Sequence, residues 1–160
     1  MTTKRVSART AAETLLAQRA YSAQGLYGKL LEKGFEERES AAAIARLAEL
    51  GYLDDAEYAR NLSASLKKRG YGERRVRQTL IAKGIDGETA TEILEGGADG
   101  EGEGEADAQI DIWLVKLNKG RPLDRKERAR LSAALFRRGF SGEEIQRGLR
   151  RFDKDGGDDL

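Results

Sequence analysis

The chain has no cysteine and no histidine among its 160 residues, and a single proline, Pro122. Those absences exclude thiol nucleophiles, imidazole general bases and zinc sites built from such ligands. No enzyme is therefore expected, and no cofactor or metal. The lone proline and the abundance of Ala, Leu, Glu and Arg favour an all-α chain. No apolar run approaches the roughly 20 residues of a membrane span. The start, Met1–Arg9, is basic without an apolar stretch behind it, so it reads as a disordered leader, not a secretory signal, and the cytoplasm is the expected compartment. Hydrophobic residues make up 39% and charged residues 36%. That balance suits thin modules with much surface for each unit of core.

One motif occurs three times. LLEKGF at Leu30–Phe35 returns as LIAKGI at Leu80–Ile85 and as LFRRGF at Leu135–Phe140. A base beside glycine and a large apolar residue is a helix stop: the base faces the negative end of the dipole, and Gly takes the left-handed position. Copies about fifty residues apart predict tandem helical repeats, an architecture that binds along a surface.

The boundaries follow. After the leader (1–9), a first three-helix repeat fills 10–51, with Thr10 capping its first helix and Ser22 its second. The third helix runs from about Glu36 to Leu50, and Gly51 stops it. A second repeat fills 52–95. Its first helix opens with Asp54 as N-cap and Glu57 as the N3 acid, and Asp55 suits the first turn; Gly70 and Gly84 are later stops. Residues 96–109 alternate Gly with acids and predict a mobile acidic linker. A calcium loop is disfavoured there because Ile110 stands where the bidentate Glu belongs. A third repeat fills 110–152, with Ile110, Trp113, Leu114 and Leu117 on one face, capping boxes at Asp124/Glu127 and Ser141/Glu144, and a final stripe of Ile145, Leu149 and Phe152. An acidic tail, 153–160, ends the chain.

A net charge of +1 hides a strong asymmetry. Ile110–Phe152 carries twelve bases against five acids. Such polarity predicts a polyanionic or acidic partner. Two clusters are candidates. The first is Lys67, Lys68, Arg69, Arg74, Arg75, Arg77 and Lys83, straddling the Gly70–Gly72 turn. Lys67–Arg69 suit a helix C-terminus, but Arg74 and Arg75 stand in a first turn, where positive charge is unfavourable, and a phosphate or carboxylate would compensate. The second is Arg121, Arg125, Lys126, Arg128, Arg130, Arg137 and Arg138, better suited to tracking phosphates than to reading bases. The bland reading of both is a solvated basic face. Tyr27, Tyr52 and Tyr71 could stack on bases, although their places beside stops and in apolar stripes favour core.

At AETLLAQRAYSAQGLYGKLLEKGF and LAELGYLDDAEYARNLSASLKKRGYGERRVRQTLIAKGI the chain resembles the bacterial RecX family of recombination regulators. The most telling pieces are Gly51 through Asp55 with Ala59, and Gly70–Gly72 with Leu80 and Lys83–Ile85. The third repeat matches more loosely, and the Gly/acid segment departs from the family's short connection. The resemblance implies tandem three-helix repeats in an elongated, curved array. It implies a non-enzymatic monomer that binds the RecA recombinase filament on single-stranded DNA, or duplex DNA, and inhibits its ATPase, strand exchange and coprotease activity in recombination, DNA repair and the SOS response. It names no contact residue, so the candidate sites rest on charge. The competing readings are a stand-alone helical DNA-binding protein or transcriptional regulator, and a peptide-binding scaffold.

Overall fold

A computed structural model of the chain describes residues 5–96, 101–118 and 123–155. Among the described residues there are nine helices and no strand: α1 (Ala8–Gln18), α2 (Ala23–Glu32), α3 (Glu37–Glu49), α4 (Asp55–Lys68), α5 (Glu73–Ala82), α6 (Gly87–Gly96), α7 (Glu101–Asn118), α8 (Arg125–Arg137) and α9 (Gly142–Asp155). They form three groups of three. The chain divides into two compact units, 1–62 with 80–90 and 63–79 with 91–160, so the middle group contributes to both.

The stops behave as their sequence requires. Gly34, Gly51, Gly70, Gly84 and Gly139 all have φ between 79° and 99°. In each, the apolar or aromatic residue that follows donates its N–H back to a carbonyl five residues earlier, as Phe35 does to Leu30, Tyr71 to Leu66 and Phe140 to Leu135. That is the Schellman arrangement, which satisfies carbonyls the helix itself leaves unpaired.

In the first unit, Leu26, Leu30, Ala43, Leu47 and Leu53 join Ala8 and Ala12 in one buried core. Each fully buried leucine contributes roughly 1.5–3 kcal/mol. The helix starts borrow acceptors from distant carboxylates. Ala8 N–H donates to Glu39 Oε1 at 3.1 Å, and Ala23 N–H to Asp55 Oδ1 at 2.8 Å. Asp55 therefore caps a neighbouring helix as well as facing its own dipole, while Asp54 accepts from Glu57 N–H at 3.0 Å, as its position predicts. The cap of α1 is Ser7, not Thr10: its hydroxyl accepts the Thr10 N–H, which moves the helix start into the segment read as leader. Burial of Ala8 draws the helix back to that point. Met1–Lys4 lie outside the described residues.

In the second unit, Ile110, Leu114, Leu131, Leu135, Phe140, Ile145 and Leu149 form the core, with Trp113, Leu123 and Phe152 packed against it. Leu117, expected on the same face as Ile110 and Leu114, is 49% exposed, because it stands one turn beyond the end of that core. Both predicted capping boxes are closed, Asp124 with Glu127 and Ser141 with Glu144.

The segment 96–109 departs most from its reading as a linker. Residues 101–109 belong to α7, while 97–100 lie outside the described residues. Tertiary contacts give this Gly- and acid-rich stretch its reason to be helical. Asp107 pairs with Arg147 at 3.3 Å and Arg151 at 2.9 Å, Asp111 pairs with Arg151 at 2.9 Å, and Ala106 packs on the core. The hydrogen bond that Arg151 donates to Asp111, with both carboxylates nearby, raises the Arg151 pKa further above its ordinary value. Helices α7 and α9 approach closely at Gly148, where a Cβ would lie 2.4 Å from Ile110 Cγ2.

Candidate functional site

The two basic clusters read from the sequence meet in the second unit. The turn between α4 and α5 packs against the stop of α8. Gly72 N–H donates to the Arg138 carbonyl at 2.9 Å, and Arg74 N–H to the Gly139 carbonyl at 3.3 Å. The free donors at the start of one helix thus bind the free acceptors at the end of another, with the two dipoles attracting. Only glycine allows this approach: a Cβ on Gly72 would sit 2.4 Å from the Gly139 carbonyl carbon, and one on Gly139 would sit 2.5 Å from Arg75 N. In the first unit the stop of α5 meets the start of α2 in the same manner. The Ser22 hydroxyl, which caps α2, donates to the Lys83 carbonyl, and a Cβ on Gly84 would fall 2.5 Å from Gln24 Cβ.

Around the Gly72–Gly139 junction several bases have structural work. Arg74 donates to the Phe136 carbonyl in the last turn of α8, and its guanidinium lies 4.0 Å from the centre of the Phe136 ring. That accounts for a positive charge in the first turn of α5: it sits at the negative end of α8 as well. Arg138 lies 3.3 Å from the centre of the Trp113 ring and 5.8 Å from that of Tyr71, and Arg69 covers Tyr71 at 5.6 Å. The Trp113 indole N–H donates to the Gly70 carbonyl at 3.3 Å. Tyr71 and Trp113 are therefore half-buried supports for arginines. Tyr27 is half-buried too, whereas Tyr52 is 66% exposed.

Other candidates are tied down by ion pairs. Arg77 bonds Thr91 at 2.7 Å and lies 3.9 Å from Glu73; Lys67 is 4.0 Å from Glu105. Arg128 makes a two-pronged contact with Asp153, at 2.8 and 2.7 Å, linking α8 to α9. Lys83 belongs to the first unit and is exposed, and Arg121 lies outside the described residues.

What remains is a set of exposed cations on α4, α5 and α8. Lys68, Arg75, Arg125, Lys126, Arg130 and Arg137 are exposed, and among the described residues their side chains have no hydrogen-bond or ion-pair partner. Arg150 on α9 is similarly exposed and unpaired, although its neighbour Arg151 is fully engaged. Arg150 lies outside the Arg121–Arg138 cluster that the sequence offers as a candidate. The signal was present in the helical period, since adjacent residues point about 100° apart.

Family models match most of the chain: the first three-helix domain of RecX at residues 8–47, the second at 54–94 and the third at 108–149. The chain is 34% identical over 141 residues to regulatory protein RecX of Stenotrophomonas maltophilia (strain R551-3), covering 88% of this chain and 83% of that one. It is 36% identical over 149 residues to regulatory protein RecX of Acidithiobacillus ferrooxidans (strain ATCC 53993 / BNL-5-31), covering 93% of each. The crystal structure of RecX from Lactobacillus salivarius shares the fold, with a TM-score of 0.80 at 19% identity over 92% of this chain and 95% of that one. Three consecutive domain matches, relatives aligned over almost their full length and the common three-helix fold lead to one conclusion: the chain belongs to the RecX family of regulatory proteins.

Proposed function

We propose that this protein binds RecA filaments assembled on single-stranded DNA and lowers their ATPase, strand-exchange and coprotease activities. Membership of the RecX family across all three domains is the observation that carries the reading. The unengaged cations of the second unit support it. Lys68, Arg75, Arg125, Lys126, Arg130 and Arg137 are held on helices whose packing is satisfied by other residues, leaving their charge available to phosphates or carboxylates. The bases with structural work, Arg74, Arg77, Arg128 and Arg138, position the surface and contribute less direct contact.

The test is a titration of the full chain into RecA–single-stranded DNA filaments, following ATP hydrolysis, with DNA binding in the absence of RecA as the control. The reading expects hydrolysis to fall at protein concentrations too low to coat the DNA alone. Tight, sequence-selective binding to duplex DNA with no effect on hydrolysis would favour a stand-alone DNA-binding protein instead.

A further inference from the structure

The exposed side of α8 carries more than charge. A groove of about 420 Å³ opens beside it, lined by Leu117 from α7 and by Glu127, Arg130, Leu131, Ala133, Ala134 and Arg137 from α8. Its apolar lining is small-featured, Ala133 and Ala134 with Leu131 and the half-exposed Leu117. Exposed, unpaired arginines stand along it at Arg130 and Arg137. They lie seven residues apart on one helix, two turns or about 10.5 Å along its axis.

We infer that this groove is a docking site for an acidic amphipathic helix of a partner protein. Carboxylates two turns apart on that helix would reach Arg130 and Arg137, and an aliphatic side chain between them would enter the space over Ala133 and Ala134 beside Leu117. The repeat of two turns is the same on both helices, so the charges come into register when the axes run nearly side by side. Charge complementarity selects the occupant. A basic helix is repelled at both arginines. A phosphate backbone satisfies the arginines but leaves the apolar floor wet, whereas a helix with an apolar stripe covers it. The Glu127 carboxylate, at the N-terminal end of the groove, accepts the Asp124 N–H at 3.1 Å in the capping box. The inference does not depend on the partner being RecA.

The test uses the full chain and a fluorescein-labelled, lactam-stapled helical peptide of about 18 residues, long enough to hold helical structure. The peptide carries Glu at positions i and i+7 and Leu at i+3 and i+4. A scrambled peptide of identical composition and charge, stapled in the same way, separates register from simple attraction. Binding is followed by fluorescence anisotropy at about 0.15 M salt, where long-range steering is largely screened. The expected result is saturable binding of the patterned peptide, weakened about tenfold or more for the scramble and for Arg130→Gln/Arg137→Gln. Ala133→Gln, on an exposed position, should weaken binding about tenfold or more while circular dichroism stays unchanged. A neutral polar side chain in the groove leaves the surface charge intact, so a purely electrostatic contact would survive it. Equal affinity for both peptides, or unchanged binding by the Ala133→Gln variant, overturns the inference. So does loss of single-stranded DNA binding in Ala133→Gln equal to the loss of peptide binding, which would make the groove a nucleic-acid contact.

Discussion

The first and third three-helix groups use the same helix stop for different ends. In the first, Lys33–Gly34 finishes α2 with nothing within 4 Å of where a Cβ would lie. In the third, Arg138–Gly139 finishes α8 against the backbone of Arg75, and the stop becomes a joint. Their charges diverge similarly. Ala8–Leu50 has six bases and six acids, and the pairs Arg9–Glu13, Lys29–Glu32 and Arg46–Glu49 each lie within one helix. Pairs of this kind at an exposed surface contribute little. The third group spends its acids on ties between helices, through Asp107, Asp111 and Asp153, and has far more bases than acids to pair. One sequence pattern thus yields a solvated end in one place and a joint within a basic surface in another.

The sharpest way to break this comparison is to add one methyl group at each stop. Both glycines have positive φ, 88° at Gly34 and 99° at Gly139, so alanine at either costs about 1–2 kcal/mol of backbone strain. At Gly139 the new Cβ also meets Arg75 N at 2.5 Å. Gly139→Ala is expected to lose about 3 kcal/mol or more, against about 1 kcal/mol for Gly34→Ala, as read from urea denaturation midpoints. Equal losses would show that the joint adds nothing to the turn.

A second contrast separates bases that hold the joint from bases that face outward. Arg74→Ala removes a hydrogen bond to the Phe136 carbonyl and a stacked contact with its ring, and should destabilise the protein by about 1–2 kcal/mol. Arg75→Gln, whose side chain has no such partner, should leave stability within about 0.5 kcal/mol while weakening inhibition of filament ATPase several-fold. Inhibition that depends on Arg74 but not on Arg75 would move the functional surface into the joint itself.

A gain is expected in the first group. Ser40 on α3 is fully buried and its hydroxyl has no hydrogen-bond partner among the described residues. Ser40→Ala should therefore raise stability by about 1 kcal/mol, measured by the same denaturation. A loss would mean that the hydroxyl has an acceptor in solution.

The smallest expected effect concerns pH. Hydrogen bonds from the Thr89 backbone and then its hydroxyl hold the Asp86 carboxyl below its ordinary value of 3.8. Because the folded value is the lower one, the contribution is present above that ordinary value and is lost as pH falls through the folded value. Thermal melts between about pH 5 and pH 2 should show a shallower acid loss for Asp86→Asn than for the parent chain. Identical slopes would remove this cap from the acid response.

Much of the fold was legible because it rests on local rules. Gly34, Gly84 and Gly139 had to end helices, since a base, a glycine and an apolar residue in that order satisfy the last carbonyls and leave the helix direction. Ser22, Asp54, Asp124 and Ser141 announced starts through the acid or hydroxyl chemistry of the first turn. The segment at 101–109 was misread because its own composition opposes helix, and only arginines forty residues away, Arg147 and Arg151, give its Asp107 a reason to stay. Of the candidate site, the sequence located the surplus of positive charge but could not divide it. Arg74 and Arg75 are adjacent and chemically identical, yet one is held by Phe136 and the other is free.

By itself, then, the sequence determined the helical class, the family, the helix ends and the sign of the surface, because these follow from backbone propensity, capping and the sum of charges. Tertiary structure decided which stop is a joint, which bases are spent and where the groove beside α8 opens. Those outcomes depend on distances between residues far apart in the chain, where a 2.4 Å approach at Gly72 or a carbonyl at Phe136 fixes the role of a side chain that its neighbours in sequence leave open.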